Sequence, residues 1–382
     1  MTEPDGPAPA VRRRLLLRDI ESPRDVLLNL TPTWYASVMG AGIVAIAAAV
    51  VPGLADPLRP VAVTMWALSA VLLVGLIVLS VAQAIVHPQV WRRHLRSPVT
   101  AHFLGTIPMA ILVVGAGADL VGRDLVGLEV AFPVHLVVWC IGTALGVAVA
   151  VGVPVATVLR SDVAPDQANG SWLLSVVPPF VSASSAYLLI PQLPAGQAQA
   201  TMLFGSYALL GMSLIAAALT TMLIWFRLVH HDAGPVGLAP TLWIVLGPLG
   251  QSATAVGTLG LVAPGVVAGL DVDPLLGSVL WGVGAALGLP LLGAAALWTL
   301  LATVMTVRAL RAGMPFGLGW WSFTFPIGVT CTGAAAVGEV TGSVLIDGMA
   351  VAYFGALALA WAVVAVRTAW GSVVRGTLFM PS

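Results

Sequence analysis

The chain has 382 residues, 59% hydrophobic and only 8% charged, with 16 cationic and 16 acidic side chains and a mean hydropathy of +1.01. A soluble domain needs roughly a quarter of its residues charged to cover its surface, so a wholly water-facing exterior is excluded and a bilayer fits. The formal net charge is zero and every cation is Arg, so nothing in the balance points to nucleic acid.

Residues 1–29 carry Arg12, Arg13, Arg14, Arg18 and Arg24 around a short Leu15–Leu17 run. That run is too short for a signal sequence and has no small-residue cleavage site, so it reads as a cytoplasmic tail. A membrane span takes roughly 20 mostly apolar residues. Ten are predicted, at 32–51, 61–86, 100–121, 131–157, 172–190, 199–226, 240–262, 275–307, 321–345 and 349–367, within a transmembrane domain over 30–370. Residues 371–382 form a second predicted cytoplasmic tail.

With the N-terminus inside, cytoplasmic segments hold fourteen Arg, including Arg92, Arg93, Arg96, Arg160, Arg227, Arg308, Arg311, Arg367 and Arg375. The opposite side holds only Arg59 and Arg123. The positive-inside asymmetry predicts a multi-pass protein of the cell membrane with both termini cytoplasmic.

Mid-span prolines fall at Pro108, at Pro178 and Pro179, at Pro248 and at Pro326, that is, in spans three, five, seven and nine. The steps from Pro108 to Pro178, Pro248 and Pro326 are 70, 70 and 78 residues, and Gly40 and Gly42 stand at the same depth in span one. Repetition at such a period points to tandem helical hairpins. Each proline removes a backbone hydrogen bond and bends its helix, a defect tolerated in a membrane only under cover of protein or a water-filled cavity. Odd spans also carry the polar residues: Thr33, Ser37, Thr106, Ser175, Ser182, Ser184, Ser185, Gln251, Ser252, Thr254, Ser322, Thr324, Thr330 and Thr332. The prediction is an all-α membrane protein of ten transmembrane helices, arranged as five tandem hairpins with the odd helices lining a central pore.

The central third of every predicted span lacks Asp, Glu and Arg, with Glu339 and Asp347 near the outer end of the last hairpin. Carboxylate-based proton relays need buried ionisable groups, so the pore chemistry expected is hydroxyls and helix dipoles acting weakly on small anions. Phe180, Phe323 and Phe325 lie at pore depth, where a ring can either occlude a lumen or simply pack. His102 reads as an interfacial residue, His230-His231-Asp232 as a solvated turn, and Cys140 and Cys331 as inert core residues. Gly284 and Gly288 suit close helix packing. No H-E-x-x-H, phosphate-cradling glycine loop or buried carboxylate pair is present, so no enzyme, metal site or cofactor is predicted.

Five runs then carry a resemblance: Thr31-Pro-Thr-Trp-Tyr-Ala-Ser-Val-Met-Gly-Ala-Gly-Ile43, Phe103-Leu-Gly-Thr-Ile-Pro-Met109, Trp172-Leu-Leu-Ser-Val-Val-Pro-Pro179, Gly247-Pro-Leu-Gly-Gln-Ser252 and Trp320-Trp-Ser-Phe-Thr-Phe-Pro326. In this order they resemble the tellurite-resistance/dicarboxylate transporter family, and more closely its malate and sulfite branch. The resemblance implies quasi-five-fold symmetry, a homotrimer of independent pores, a gating phenylalanine at Phe325 and a pore aromatic at Phe180. It also implies transport of a C4-dicarboxylate such as malate, or of sulfite. Two alternatives stay open: proton-coupled transport of the same substrates, and a chloride- or nitrate-type anion channel.

Overall fold

The computed structural model describes residues 23–97, 100–159, 167–231 and 234–379. Arg12, Arg13, Arg14, Arg18, Leu15–Leu17, Arg160 and Asp232 lie outside the described residues. Among the described residues the secondary structure is entirely helical. Nine helices among these residues are long and apolar enough to cross a membrane: Pro32–Val50, Ala55–Val86, His102–Val126, Leu128–Val158, Gln197–His230, Val236–Ala268, Leu275–Arg311, Leu318–Thr341 and Val344–Arg375. A tenth is the pair Gly170–Val176 and Pro178–Gln192, bent by 51° where Pro178 and Pro179 interrupt it. Counted in chain order these are spans one to ten, with the bent pair as span five.

The spans divide sharply by burial. In their most apolar stretches, spans one, three, seven and nine bury 72, 78, 72 and 89% of their residues. Spans two, four, six, eight and ten bury 22, 17, 22, 22 and 17%. Helices that are apolar all round yet only about a fifth buried need a lipid environment, so the odd helices form a core and the even ones a lipid-facing shell.

The core closes on itself, with a glycine at each seam. Gly42 of span one meets Val113 of span three, and Gly105 of span three meets Leu174 of span five. Gly170 of span five then meets Thr241 of span seven, Gly250 of span seven meets Val329 of span nine, and Gly328 of span nine returns to Ile43 of span one. At Gly105 a Cβ would fall on the Leu174 carbonyl itself, so any side chain there would force the two helices apart. In the shell, Gly284 lies over the Val256 carbonyl and Gly288 against Val337, the close packing expected of them.

Each odd span begins at its Arg-rich end with a 3₁₀ turn, at Pro32–Trp34, His102–Gly105, Gly170–Trp172, Val236–Val245 and Leu318–Phe323. Four share a device: an aromatic residue whose carbonyl accepts from a hydroxyl three residues on. The pairs are Ser37 to Trp34 (2.7 Å), Thr106 to Phe103 (2.7 Å), Ser175 to Trp172 (2.9 Å) and Thr324 to Trp321 (2.8 Å). These hydroxyls satisfy carbonyls near breaks in the helical ladder. The shell contributes as well. Indole N–H groups of Trp66, Trp139 and Trp298 on spans two, four and eight donate to the carbonyls of Val114, Ser182 and Leu242 on the core helices.

Several expectations are corrected. Span nine ends earlier than predicted, because Gly342 adopts a left-handed conformation (φ 64°) and turns the chain, so Val344 and Leu345 belong to span ten. Cys140 lies exposed on a shell helix rather than in the core, whereas Cys331 is buried. Beyond span ten a 3₁₀ turn, Thr377–Phe379, follows, and the Phe379 ring stacks on Trp34 with centroids 4.7 Å apart.

Candidate functional site

Two chambers lie along the axis of the core, and residues of the odd spans alone line both. The chamber toward the Arg-rich end has a volume of about 30 Å³ and is bounded by Thr33, Thr106, Ser322, Phe325 and Pro326, among others. Such a volume holds roughly one water molecule. The chamber at the opposite, distal end has about 290 Å³ and is bounded by Gln251, Thr254, Thr332 and Glu339, among others.

A thin septum separates them. The last residues to touch the Arg-side chamber are Met39, Met109, Val177, Gly247 and Pro326, one from each odd span. The first to touch the distal chamber follow four residues later in four spans, at Ile43, Val113, Val181 and Gln251, and six later in span nine, at Thr332. Four residues are about one helical turn, roughly 6 Å. Gly40, Gly42, Pro108, Pro178, Pro179, Pro248 and Pro326 all fall within or beside this turn, but only span five is bent there. Span one is continuous over Tyr35–Val50, and Pro108, Pro248 and Pro326 stand in the first turn of their α-helices, where the missing N–H costs no helical bond.

The remaining expected pore residues separate into two groups. Thr106, Gln251, Phe325 and Pro326 line a chamber. Phe325 is 5% exposed and forms part of the wall of the narrow chamber. Phe180 sits at septum depth, between Val177 and Val181, but is fully buried in the packing and touches neither chamber. Phe323 packs edge-on against Trp243 and Trp320, at 5.7 and 5.6 Å. Ser182 faces span four, where Thr143 donates to its hydroxyl (2.9 Å). Ser252 and Thr324 donate to the carbonyls of Pro248 (2.6 Å) and Trp321 (2.8 Å) and line neither chamber.

The distal chamber is rich in hydroxyls, and most of them have a backbone carbonyl within hydrogen-bond reach. Ser185 donates to the Val181 carbonyl (2.8 Å), Thr254 to Gly250 (2.9 Å), Thr258 to Thr254 (2.8 Å) and Thr332 to Val329 (3.1 Å). Glu339 is the one charged group in the wall.

Sequence reading missed a buried polar cluster beside this chamber. Asp119 Oδ2 lies 3.1 Å from His135 Nδ1 and accepts from Gln192 Nε2 at 2.8 Å, with His135 fully buried and Asp119 2% exposed. The cluster ties spans three, four and five, and Asp119 stands in a π-helical turn, Ala118–Gly122, that redirects the end of span three. His102, read as interfacial, is buried: it stacks on Trp172 at 5.6 Å, and its Nδ1 lies 3.1 Å from Ser175 Oγ. His230 and His231 are exposed, as a solvated turn requires. Among the described residues no group of three potential metal ligands comes together.

Residues 29–369 match the family model SLAC1, described as voltage-dependent anion channel, so the match takes in all ten spans. The chain belongs to that voltage-dependent anion channel family. Within the family it is similar to sulfite efflux pumps of two fungi. The protein of Arthroderma otae is 25% identical over 91% of this chain and 92% of its own, and that of Trichophyton rubrum is 26% identical with the same coverage. An uncharacterized transporter of Methanocaldococcus jannaschii is 25% identical over 95% of this chain and 99% of its own. The family and these relatives are channels and transporters, not enzymes, so this member is a multi-pass membrane protein whose family moves anions.

Proposed function

We propose that this protein is a facilitative exporter or channel for small oxyanions, sulfite or a C4-dicarboxylate such as malate, in the plasma membrane. The anion crosses between the two chambers, and Phe325 is the gate that closes the septum from the Arg-rich side. The observation that carries this reading is the pair of coaxial chambers, walled by the odd spans only and separated by about one helical turn. Arg92, Arg93, Arg96, Arg308 and Arg311 mark the chamber with Phe325 as cytoplasmic, with both termini on that side. There they raise the local concentration of anions awaiting export. Residues 30–370 form the transport domain, and a homotrimer of independent pores is the assembly expected. Fungal relatives named as sulfite efflux pumps support sulfite as the first candidate.

The test is a flux screen of the purified full-length chain in liposomes with sulfite, malate, succinate, chloride and nitrate. Saturable oxyanion flux above that of empty liposomes is expected. No flux of any of the five, from protein that is monodisperse and incorporated, would overturn the reading.

A further inference from the structure

We infer that Gln251 is the residue that compensates a permeating anion for its lost hydration, and that it thereby sets which anions pass. This rests on the transport reading above and adds the contact that discriminates. Gln251 is 3% exposed and stands in the wall of the distal chamber, the first residue of span seven to reach it beyond the septum. The preceding residue, Gly250, lies across the seam from Val329 and Thr330, about 6 Å along span nine from Phe325. An anion that passes the ring therefore meets Gln251 next.

The donor inventory makes this position decisive. An anion needs N–H or O–H donors in place of its water. Four of the chamber's hydroxyls have carbonyls within reach, Ser184 and Ser185 at Val181, Thr254 at Gly250 and Thr332 at Val329, and the Thr254 and Thr332 hydroxyls also lie 2.9 Å from each other. The Tyr187 hydroxyl, also in the wall, stands six residues beyond Val181 on span five, about 9 Å further from the septum than Gln251. Among the described residues the Gln251 amide has no hydrogen-bond partner, and its two N–H donors remain uncommitted beside the lumen.

Without the amide, anions would be ranked by the cost of stripping their water alone. With it, strongly hydrated oxyanions recover part of that cost. The experiment compares sulfite with thiocyanate, a weakly hydrated anion, in proteoliposomes of the full-length chain. Gln251→Leu keeps the volume and removes the donors, and should lower the sulfite-to-thiocyanate flux ratio about tenfold. Gln251→Glu, closer in shape, should nearly abolish sulfite flux while thiocyanate flux falls far less. If Gln251→Leu does not assemble, Gln251→Glu alone decides. A flux ratio unchanged in an assembled Gln251→Leu protein, or sulfite passing Gln251→Glu at the wild-type rate, overturns the inference and leaves the transport reading standing. Wild-type protein that passes neither anion overturns both.

Discussion

Gly250 of span seven lies against the backbone of Val329 and Thr330 in span nine, where an added Cβ would come within 2.6 Å of the Thr330 nitrogen. Gly282, on lipid-facing span eight, has no neighbour within 4 Å of the same construction. Gly250→Ala should therefore lose about 1–3 kcal/mol through overpacking, while Gly282→Ala should be neutral or slightly stabilising. Thermal unfolding in detergent checks the pair, and equal effects would contradict the closed core.

Phe325 and Phe180 should respond oppositely to truncation. Phe325 walls a chamber and Phe180 is sealed in the packing. Phe325→Ala is expected to raise anion flux severalfold, at a smaller cost in stability than Phe180→Ala because its ring already borders a cavity. Phe180→Ala should instead cost about 3–5 kcal/mol from a core cavity, read as a fall in melting temperature without a gain in flux. Unchanged flux in a well-folded Phe325→Ala protein would reduce that ring to packing.

Glu339 places a negative charge in the wall of the distal chamber. Glu339→Gln should increase anion uptake from that side about two- to fivefold at low ionic strength, and the gain should shrink as salt screens the carboxylate. Flux measured from each side at low and at high salt checks this. A gain that ignores salt would point to a steric effect instead.

Asp119, His135 and Gln192 clasp three spans, with Asp119 and His135 buried and Gln192 partly so. Removing one member of a buried polar pair strands the other at a cost of roughly 3–5 kcal/mol. Asp119→Ala should show this as early unfolding, and His135→Leu in the same chain should recover part of the loss. Purely additive losses in the double-mutant cycle would mean that the two side chains do not act together.

Much of this organisation is legible in the residues, because proline, glycine and hydroxyls concentrate on alternate spans for a physical reason. Broken backbone needs cover, and only the inner helices have it. Pro108, Pro248 and Pro326 thus located both the core helices and the depth of the septum. The direction of each side chain around its helix was not legible. Core helices here are apolar or small on every face, so Ser182, Ser252 and Thr324 looked equivalent to Thr106 and Gln251 until packing separated them. The Asp119 cluster escaped for another reason: its members are 16 and 73 residues apart and meet only in three dimensions. Trp34, Phe103, Trp172 and Trp321, each followed by a hydroxyl three residues on, offered a finer repeat that could have been found.

The central claim is that the alternate, broken helices enclose an aqueous conduit and the shell helices seal it from lipid. It is tested most directly by single cysteines at Ser185 and Thr332 in the distal chamber, and at Leu219 and Val363 on the exposed shell. Cys140 and Cys331 are replaced by Ala in every chain. A charged, membrane-impermeant thiol reagent applied to reconstituted protein should modify the chamber positions and spare the shell ones. Modification at Leu219 and Val363 with none at Ser185 and Thr332 would contradict the account.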